Sequence, residues 1–138
     1  MILLDTNVLS ELMLDHPNTA VADWLDRQPH LSVWTSSVTI FEIRSGLLIM
    51  PTGKPRLNRI ANFERILTAI IERRVADFDA AAAEQAAAIF AERERKGRPG
   101  ELRDTMIAGI VLANHATLAT CNVRHFEDIA RSVVNPWG

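Results

Sequence analysis

Three carboxylates that are far apart in the sequence stand where an α/β fold could bring them together. Asp5 follows an apolar run at positions 2–4, Glu42 lies about one turn into a predicted helix, and Asp104 opens the most apolar helical stretch. Clustered carboxylates repel and raise each other's pKa unless a cation lies between them. Hard divalent cations prefer such oxygen ligands and can activate water beside a phosphoryl group. These residue types therefore predict a metal-assisted hydrolytic site.

Each carboxylate also has a purely structural explanation. Asp5 and Asp104 suit helix N-termini, where an aspartate caps the first turn and complements the helix dipole. Glu42 could pair with Arg44 or with another surface arginine. Gly46, one helical turn after Glu42, instead predicts close approach of another element and a cleft position. The three acids taken together favour a shared site over three unrelated structural roles.

Short apolar runs alternate with helical patterns and predict the elements that must position these acids. Strands are predicted at 2–5, 31–37, 75–78 and 117–121, with a last short strand before the terminal Asn-Pro-Trp. The helices between them include an alanine-rich one capped by Asp79 and a long amphipathic one. The amphipathic stripe consists of Leu57, Ile60, Phe63, Leu67 and Ile70. This alternation predicts a parallel sheet with helices on both faces and ligands at the carboxyl ends of the strands.

Length and composition bound the class of protein. The chain has 138 residues, which predicts one domain over 1–138. Its single cysteine, Cys121, excludes an internal disulfide and fits a reducing cytoplasm. The apolar runs are too short for a membrane span, so no membrane contact is expected. The net charge of −2 gives no global attraction to nucleic acid, so any such contact must rely on local arginines.

The motifs resemble those of the PIN-domain ribonucleases, specifically the VapC-type toxins of bacterial toxin–antitoxin pairs and their FitB and plasmid-stability group. The resemblance covers essentially the whole chain. It is carried by LLDTNVLSEL, TSSVTIFEIRSG, LRDTMIAGIVLANH, TLATCNVRHFED and the closing VVNPW. It implies a PIN-like α/β fold with a parallel sheet in the order 3-2-1-4-5. It also implies an endoribonuclease that depends on Mg²⁺ or Mn²⁺.

The resemblance also assigns residues to the site. The family's first three acids fall on Asp5, Glu42 and Asp104, which makes all three catalytic and metal-associated. Asp5 and Asp104 would bind the metal directly. Glu42 would orient or deprotonate the attacking water, or reach the metal through water. Three further polar residues match positions that steady the acids or waters, namely Thr6, Asn7 and Thr120.

Asn122 is where the chain departs from the family, because the family's fourth position is often an acid. An asparagine can hold a metal-bound water but brings no charge, so three carboxylates suit one well-held metal better than two. Glu127 or Asp128 would be a substitute for the missing acid. Asn122 also has a plainer reading as a turn residue, and His125 is expected to be structural or exposed, not a base.

The resemblance further implies partners: an RNA substrate, a second copy of the chain in a homodimer, and a cognate antitoxin that supplies the DNA contact. Arg44 would face the substrate or partner, or be an ordinary surface arginine. Two alternatives remain. One is a non-catalytic binding module in which Asn122 marks a decayed site. The other is a haloacid-dehalogenase-type phosphatase, which requires a second aspartate where this chain has Asn7.

Overall fold

The computed structural model describes residues 1–138 and contains one five-stranded parallel sheet. The strands are short: β1 Ile2–Leu4, β2 Val33–Ser36, β3 Val75–Ala76, β4 Thr117–Ala119 and β5 Val133–Val134. Their order is β3-β2-β1-β4-β5, so the predicted order 3-2-1-4-5 is confirmed. In the register, Leu3 lies opposite Trp34 of β2 and Leu118 of β4. The first strand is therefore central, and its carboxyl end lies in the middle of the sheet edge.

Helices cover both faces of the sheet, as the alternating pattern predicts. They are α1 Thr6–Leu12, α2 Thr19–Asp26, α3 Ser37–Ile49, α4 Lys54–Arg65, α5 Ala80–Arg95 and α6 Leu102–Ala113. Successive side chains of a strand point to opposite faces. Accordingly Leu4 joins one apolar cluster with α1 and α3, whereas Leu3 joins the other with α5 and α6. None of the helices is long and apolar enough to cross a membrane.

The predicted long amphipathic helix differs from the structure in two respects. It runs regularly only over α4 and continues as a five-residue π-helical turn, Ile66–Ile70. Phe63 and Leu67 are buried, but Leu57 is 64% exposed, so its assignment to the buried stripe is wrong. The wider turn shifts the phase of the helix, which a constant 3.6-residue period does not anticipate.

The close helix contact predicted at Gly46 occurs elsewhere. A Cβ added to Gly46 would meet nothing within 4 Å, so that expectation is wrong. A Cβ on Gly109 of α6 would lie 2.5 Å from the carbonyl oxygen of Ala82 and 2.7 Å from the Cβ of Ala86. The alanine-rich helix α5 therefore packs directly on the backbone of α6. This contact fixes the helix that begins near Asp104.

Candidate functional site

Asp5 lies at the carboxyl end of β1 and is only 3% exposed. It begins α1 as its N-cap, and its Oδ1 accepts the backbone N–H of Thr6 at 2.8 Å. Its Oδ2 accepts from the Thr120 hydroxyl at 2.8 Å and from the Asn7 amide at 3.0 Å. Burial raises the pKa of this carboxyl, and Asp104 adds to that rise, while the hydrogen bonds oppose it. The cap and the candidate ligand are thus the same residue.

Glu42 points from α3 toward the same edge of the sheet. Its Oε1 accepts the Thr6 hydroxyl at 2.9 Å, and its Oε2 lies 3.7 Å from a guanidinium nitrogen of Arg103. Burial raises the pKa of Glu42, whereas the bond from Thr6 and the charge of Arg103 lower it. Thr6 therefore connects the end of β1 to Glu42, since its N–H serves Asp5 and its hydroxyl serves Glu42.

Arg44 lies away from this site. It is ion-paired with Glu64, and its guanidinium carbon lies 4.7 Å from the centre of the Phe63 ring. The suggested Glu42–Arg44 pair is therefore wrong, and the arginine beside Glu42 is Arg103. Residues 42 and 44 lie about 200° apart around a helix, so the two side chains point to different sides of α3.

Asp104 lies in the first turn of α6, which Glu101 caps by accepting the Asp104 N–H at 3.1 Å. Its Oδ2 accepts a hydrogen bond from Nδ1 of His125 at 2.9 Å. Burial raises the pKa of Asp104, while the charge of His125 lowers it. The sequence predicts that His125 is structural or exposed rather than a base; its side chain is exposed, but its contact with Asp104 is not predicted. The two are 21 residues apart, and no local pattern links them.

Asn122 lies at the end of the same edge but does not contact the carboxylates. It is exposed, and its side-chain oxygen lies 3.7 Å from Sγ of Cys121. Asn7 makes the bridging contacts instead: its Nδ2 donates to Asp5 and to Thr120, and its Oδ1 accepts the Cys121 N–H at 3.0 Å. Asn7 therefore joins α1 to the end of β4.

The two suggested substitutes for a fourth acid are both engaged elsewhere. Asp128 accepts from Arg93 at 2.7 and 2.9 Å, and Arg93 holds the pKa of that carboxyl below its usual range. Glu127 lies on the surface, 3.7 Å from Arg98. Neither carboxylate forms a hydrogen bond with Asp5 or Asp104, so neither of them takes the place of the fourth acid.

Arg93 connects three segments behind the site. It is 8% exposed and, besides Asp128, donates to the Thr105 hydroxyl at 2.8 Å and to the His125 carbonyl at 3.0 Å. It thereby joins α5 to the start of α6 and to the irregular segment Val123–Ser132. A Cβ on Gly100, whose φ is +68°, would lie 3.2 Å from the Arg93 guanidinium. Glycine therefore allows the 97–101 loop to pass close to this side chain.

Replacing Arg93 by methionine (Arg93→Met) is expected to destabilise the fold by about 3 kcal/mol, because it leaves the Asp128 carboxylate and the Thr105 hydroxyl without their donor. Arg95→Met, two residues further along the same helix, is the matched control. Arg95 is exposed and pairs only with Glu92, so its loss should cost less than about 0.5 kcal/mol. Urea unfolding followed by circular dichroism measures both values, and equal losses would contradict a special role for Arg93.

A cavity of about 550 Å³ opens beside Asp104 and His125. None of the residues that line it is hydrophobic: Glu92, Arg93, Lys96, Arg98, Gly100, Glu101, Asp104, Arg124, His125, Glu127 and Asp128. Its size falls within the usual range of small-ligand sites, but its walls are charged rather than apolar. Such a surface suits a highly polar ligand.

The donor set fits a hard divalent cation. Asp104 raises the pKa of Asp5, and no cationic side chain forms an ion pair with Asp5. No three acidic, histidine or cysteine side chains converge as a ready-made metal cage. Carboxylate oxygens are nevertheless the ligands that hard divalent cations prefer, and such a cation can bind through few protein ligands and keep part of its water shell. Asp5 and Asp104 are the residues available for direct binding, and Glu42 is available through water.

Comparisons with known proteins identify the same architecture. A model of the PIN domain family matches residues 2–132. The plasmid stability protein StbB of Pseudomonas syringae pv. tomato is 39% identical over 137 residues, covering 99% of both chains. A VapC ribonuclease of Sinorhizobium fredii is 34% identical and covers 99% of this chain and 98% of that protein. The crystal structure of FitAcB from Neisseria gonorrhoeae has a TM-score of 0.84 at 31% identity over 99% of each chain.

Proposed function

This chain belongs to the PIN domain family, and on that premise we propose that it is a metal-dependent endoribonuclease and the toxin of a toxin–antitoxin pair. The observation that carries the proposal is that Asp5, Glu42 and Asp104, from three distant parts of the chain, lie near enough at the carboxyl edge of the sheet to affect one another: Asp104 raises the pKa of Asp5, Asp5 raises that of Glu42, and Glu42 raises that of Asp104. The ribonuclease name of the Sinorhizobium relative supports the activity. The family match favours a nuclease over the phosphatase alternative.

The reaction is hydrolysis of an RNA phosphodiester bond. A divalent cation, Mg²⁺ or Mn²⁺, bound by Asp5 and Asp104 would supply charge stabilisation at the phosphoryl oxygens and an activated water. Asp5 is suited to this role because three donors hold its two oxygens in fixed directions. Thr120 and Asn7 thus act through Asp5, and Asn122 contributes only its backbone N–H, which donates to Thr120 Oγ1 at 3.0 Å.

Glu42 is the proposed acceptor of a proton from the attacking water. Its raised pKa brings it closer to neutral pH, which makes it a better base than an ordinary surface glutamate. The Thr6 hydroxyl fixes one oxygen, and the other faces Arg103 at 3.7 Å. Arg103 is 46% exposed, and its Nε donates to Glu101 at 2.9 Å, so its other N–H groups are available to a substrate phosphate.

The charged cavity beside Asp104 is the proposed path of the RNA chain. Lys96 and Arg98 form only long ion pairs, at 3.8 and 3.7 Å, with exposed glutamates, so they can exchange these partners for phosphates. Arg124 lines the same cavity and forms no ion pair. The lining also includes acidic side chains, so these cations would contact individual phosphates rather than give the cavity a net positive charge.

Protein partners are also proposed. The FitAB structure, which contains DNA, resembles this chain with a TM-score of 0.88 at 31% identity over 100% of this chain and 96% of that one. By analogy, a cognate antitoxin would bind this chain and supply the DNA contact, and two toxin chains would form a homodimer in the cytoplasm. Exposed apolar side chains support such contacts: Phe41, Leu48 and Ile49 of α3 are 60, 67 and 82% exposed.

The test is RNA cleavage together with metal binding. The purified wild-type chain should cleave RNA in Mg²⁺ or Mn²⁺, and EDTA should stop the reaction. Calorimetric titration with Mn²⁺ should show binding by the wild type and by Asp23→Ala, an exposed aspartate of α2, but at least about 10-fold weaker binding by Asp104→Ala. Equal binding by all three, without cleavage, would favour the non-catalytic binding module.

A further inference from the structure

We propose that Ser36 and Thr39 are positioning residues for Glu42, and that they act through a relay of hydroxyl groups that ends on its carboxylate. The proposal rests on the role proposed above for Glu42. Neither residue contacts the cavity: Ser36 is 0% and Thr39 is 1% exposed. Three distances define the relay: Ser36 Oγ to Thr39 Oγ1 is 3.2 Å, Thr39 Oγ1 to Thr6 Oγ1 is 3.3 Å, and Thr6 Oγ1 to Glu42 Oε1 is 2.9 Å.

The direction of the relay follows from its last member, the Glu42 carboxylate, which can accept a hydrogen bond but cannot donate one. The one proton of the Thr6 hydroxyl therefore goes to the Glu42 carboxylate; Thr39 then donates to Thr6 Oγ1, and Ser36 donates to Thr39 Oγ1. The backbone N–H of Thr39 can only donate, and it donates to Ser36 Oγ at 3.0 Å. Each hydroxyl donates once and accepts once, so the chain has a single polarity and its bonds reinforce one another.

Helix capping explains only half of this arrangement. Ser36 is the N-cap of α3, and its bond to the Thr39 N–H is an ordinary capping contact. A capping box would place glutamate or glutamine at position 39, where it would bond back to the N-cap residue. This chain has threonine there, and its hydroxyl contacts the hydroxyl of Thr6, which lies 33 residues earlier in the sequence. The extra contact links the cap of α3 to α1 and to the candidate site.

The relay holds the Glu42 carboxylate in one orientation. A glutamate side chain has three rotatable bonds, and Glu42 has no other hydrogen bond to hold Oε1. If Thr6 were free to rotate, it could donate to water, and Glu42 would sample several orientations. A hydrogen bond from Thr39 to Thr6 Oγ1 restricts the rotation of the Thr6 hydroxyl about its C–O bond, and this helps to keep the Thr6 proton on Glu42. The effect should therefore appear in kcat more than in KM.

Isosteric variants test the relay. Thr39→Val keeps the shape but removes the hydroxyl, and it should lower kcat for RNA cleavage about 10-fold while KM changes less than about 2-fold. Thr39→Ser restores the hydroxyl and should recover most of kcat. Ser36→Gly, which retains a good N-cap, should lower kcat by a smaller factor because the rest of the relay remains.

Thr35→Val is the matched control. Thr35 is also 0% exposed and also donates one hydrogen bond, to the Leu4 carbonyl at 3.0 Å, but it is not part of the relay. Its kcat should equal that of the wild type. If Thr39→Val and Thr35→Val lose the same activity, or if Thr39→Ser loses as much as Thr39→Val, the relay does not position Glu42.

A second readout does not depend on catalysis. In the metal-free wild type, NMR should detect a slowly exchanging Thr6 hydroxyl proton, and Thr39→Val should abolish that protection whereas Thr35→Val should not. An unprotected Thr6 proton in the wild type would overturn the relay even in an active enzyme. If instead Glu42→Gln retains full activity while the proton is protected, the proposed role of Glu42 fails, and the positioning role fails with it.

Discussion

Replacing Asp5 by asparagine (Asp5→Asn) is expected to lower RNA cleavage by at least about 100-fold and to abolish growth arrest when the chain is expressed without an antitoxin. Asparagine caps helices as well as aspartate does, so α1 should still begin at Thr6. The change removes the negative charge of the Asp5 carboxyl, whose oxygens accept hydrogen bonds from Thr6, Asn7 and Thr120. The measurement is the rate of RNA cleavage in Mg²⁺ or Mn²⁺.

Asp79→Asn is the matched control for this experiment. Asp79 also caps a helix, α5, and accepts a backbone N–H at 2.9 Å, but it contributes nothing to the carboxyl edge around Asp5. Wild-type activity in Asp79→Asn and lost activity in Asp5→Asn would separate the catalytic role of Asp5 from its role as a cap. Retained toxicity in Asp5→Asn would remove Asp5 from the catalytic set.

The same pair of variants tests metal binding through stability. A cation at about 100 times its Kd should raise the free energy of unfolding of the wild type by about 2.7 kcal/mol. Asp79→Asn should show the same gain, and Asp5→Asn little or none. Burial raises the pKa of Asp5 and of Asp104, so protons compete better with the cation as the pH falls. The gain should therefore shrink toward acid pH, because protonated carboxyls bind cations weakly.

The sequence predicts the parts of the site that depend on topology. Asp5 follows the end of β1, and Glu42 and Asp104 lie in the opening turns of helices that start near the same sheet edge, so the strand and helix pattern suffices to group them. The sheet order follows from the family resemblance rather than from the pattern. The family resemblance also predicts that Thr6, Asn7 and Thr120 belong to the site, and each of them contacts one of its carboxylates.

Side-chain direction and long-range pairing account for what the sequence does not predict. His125 meets Asp104, and Arg103 rather than Arg44 lies beside Glu42, because these contacts depend on how α6 and the Val123–Ser132 segment pack. Asn122 also lies at this edge of the sheet, but its side chain is exposed and forms no hydrogen bond with the carboxylates. A residue's position on an edge follows from topology, whereas its rotamer follows from packing that only the folded chain provides.

Gly46 and Gly109 also show that the sequence does not predict which helix positions are closely packed. Replacing each glycine by alanine should have opposite effects on stability. Gly109→Ala should destabilise the fold by about 3 kcal/mol, since the new Cβ would lie 2.5 Å from the Ala82 carbonyl oxygen and 2.9 Å from the Ala86 backbone nitrogen. Both contacts are with backbone atoms, which cannot turn aside as a flexible side chain can. Helix α5 must therefore move away from α6, and the buried Ala82 and Ala86 lose their packing.

Gly46→Ala is the matched control, because it is the same change inside another helix. A Cβ there meets nothing within 4 Å, so alanine should stabilise α3 by about 0.5–1 kcal/mol through its higher helix propensity. Urea unfolding measures both variants. A loss of less than about 1 kcal/mol in Gly109→Ala would mean that α5 can separate from α6 at little cost. In that case the contact between α5 and α6 at Gly109 would not hold Asp104 and Arg93 in place at the sheet edge.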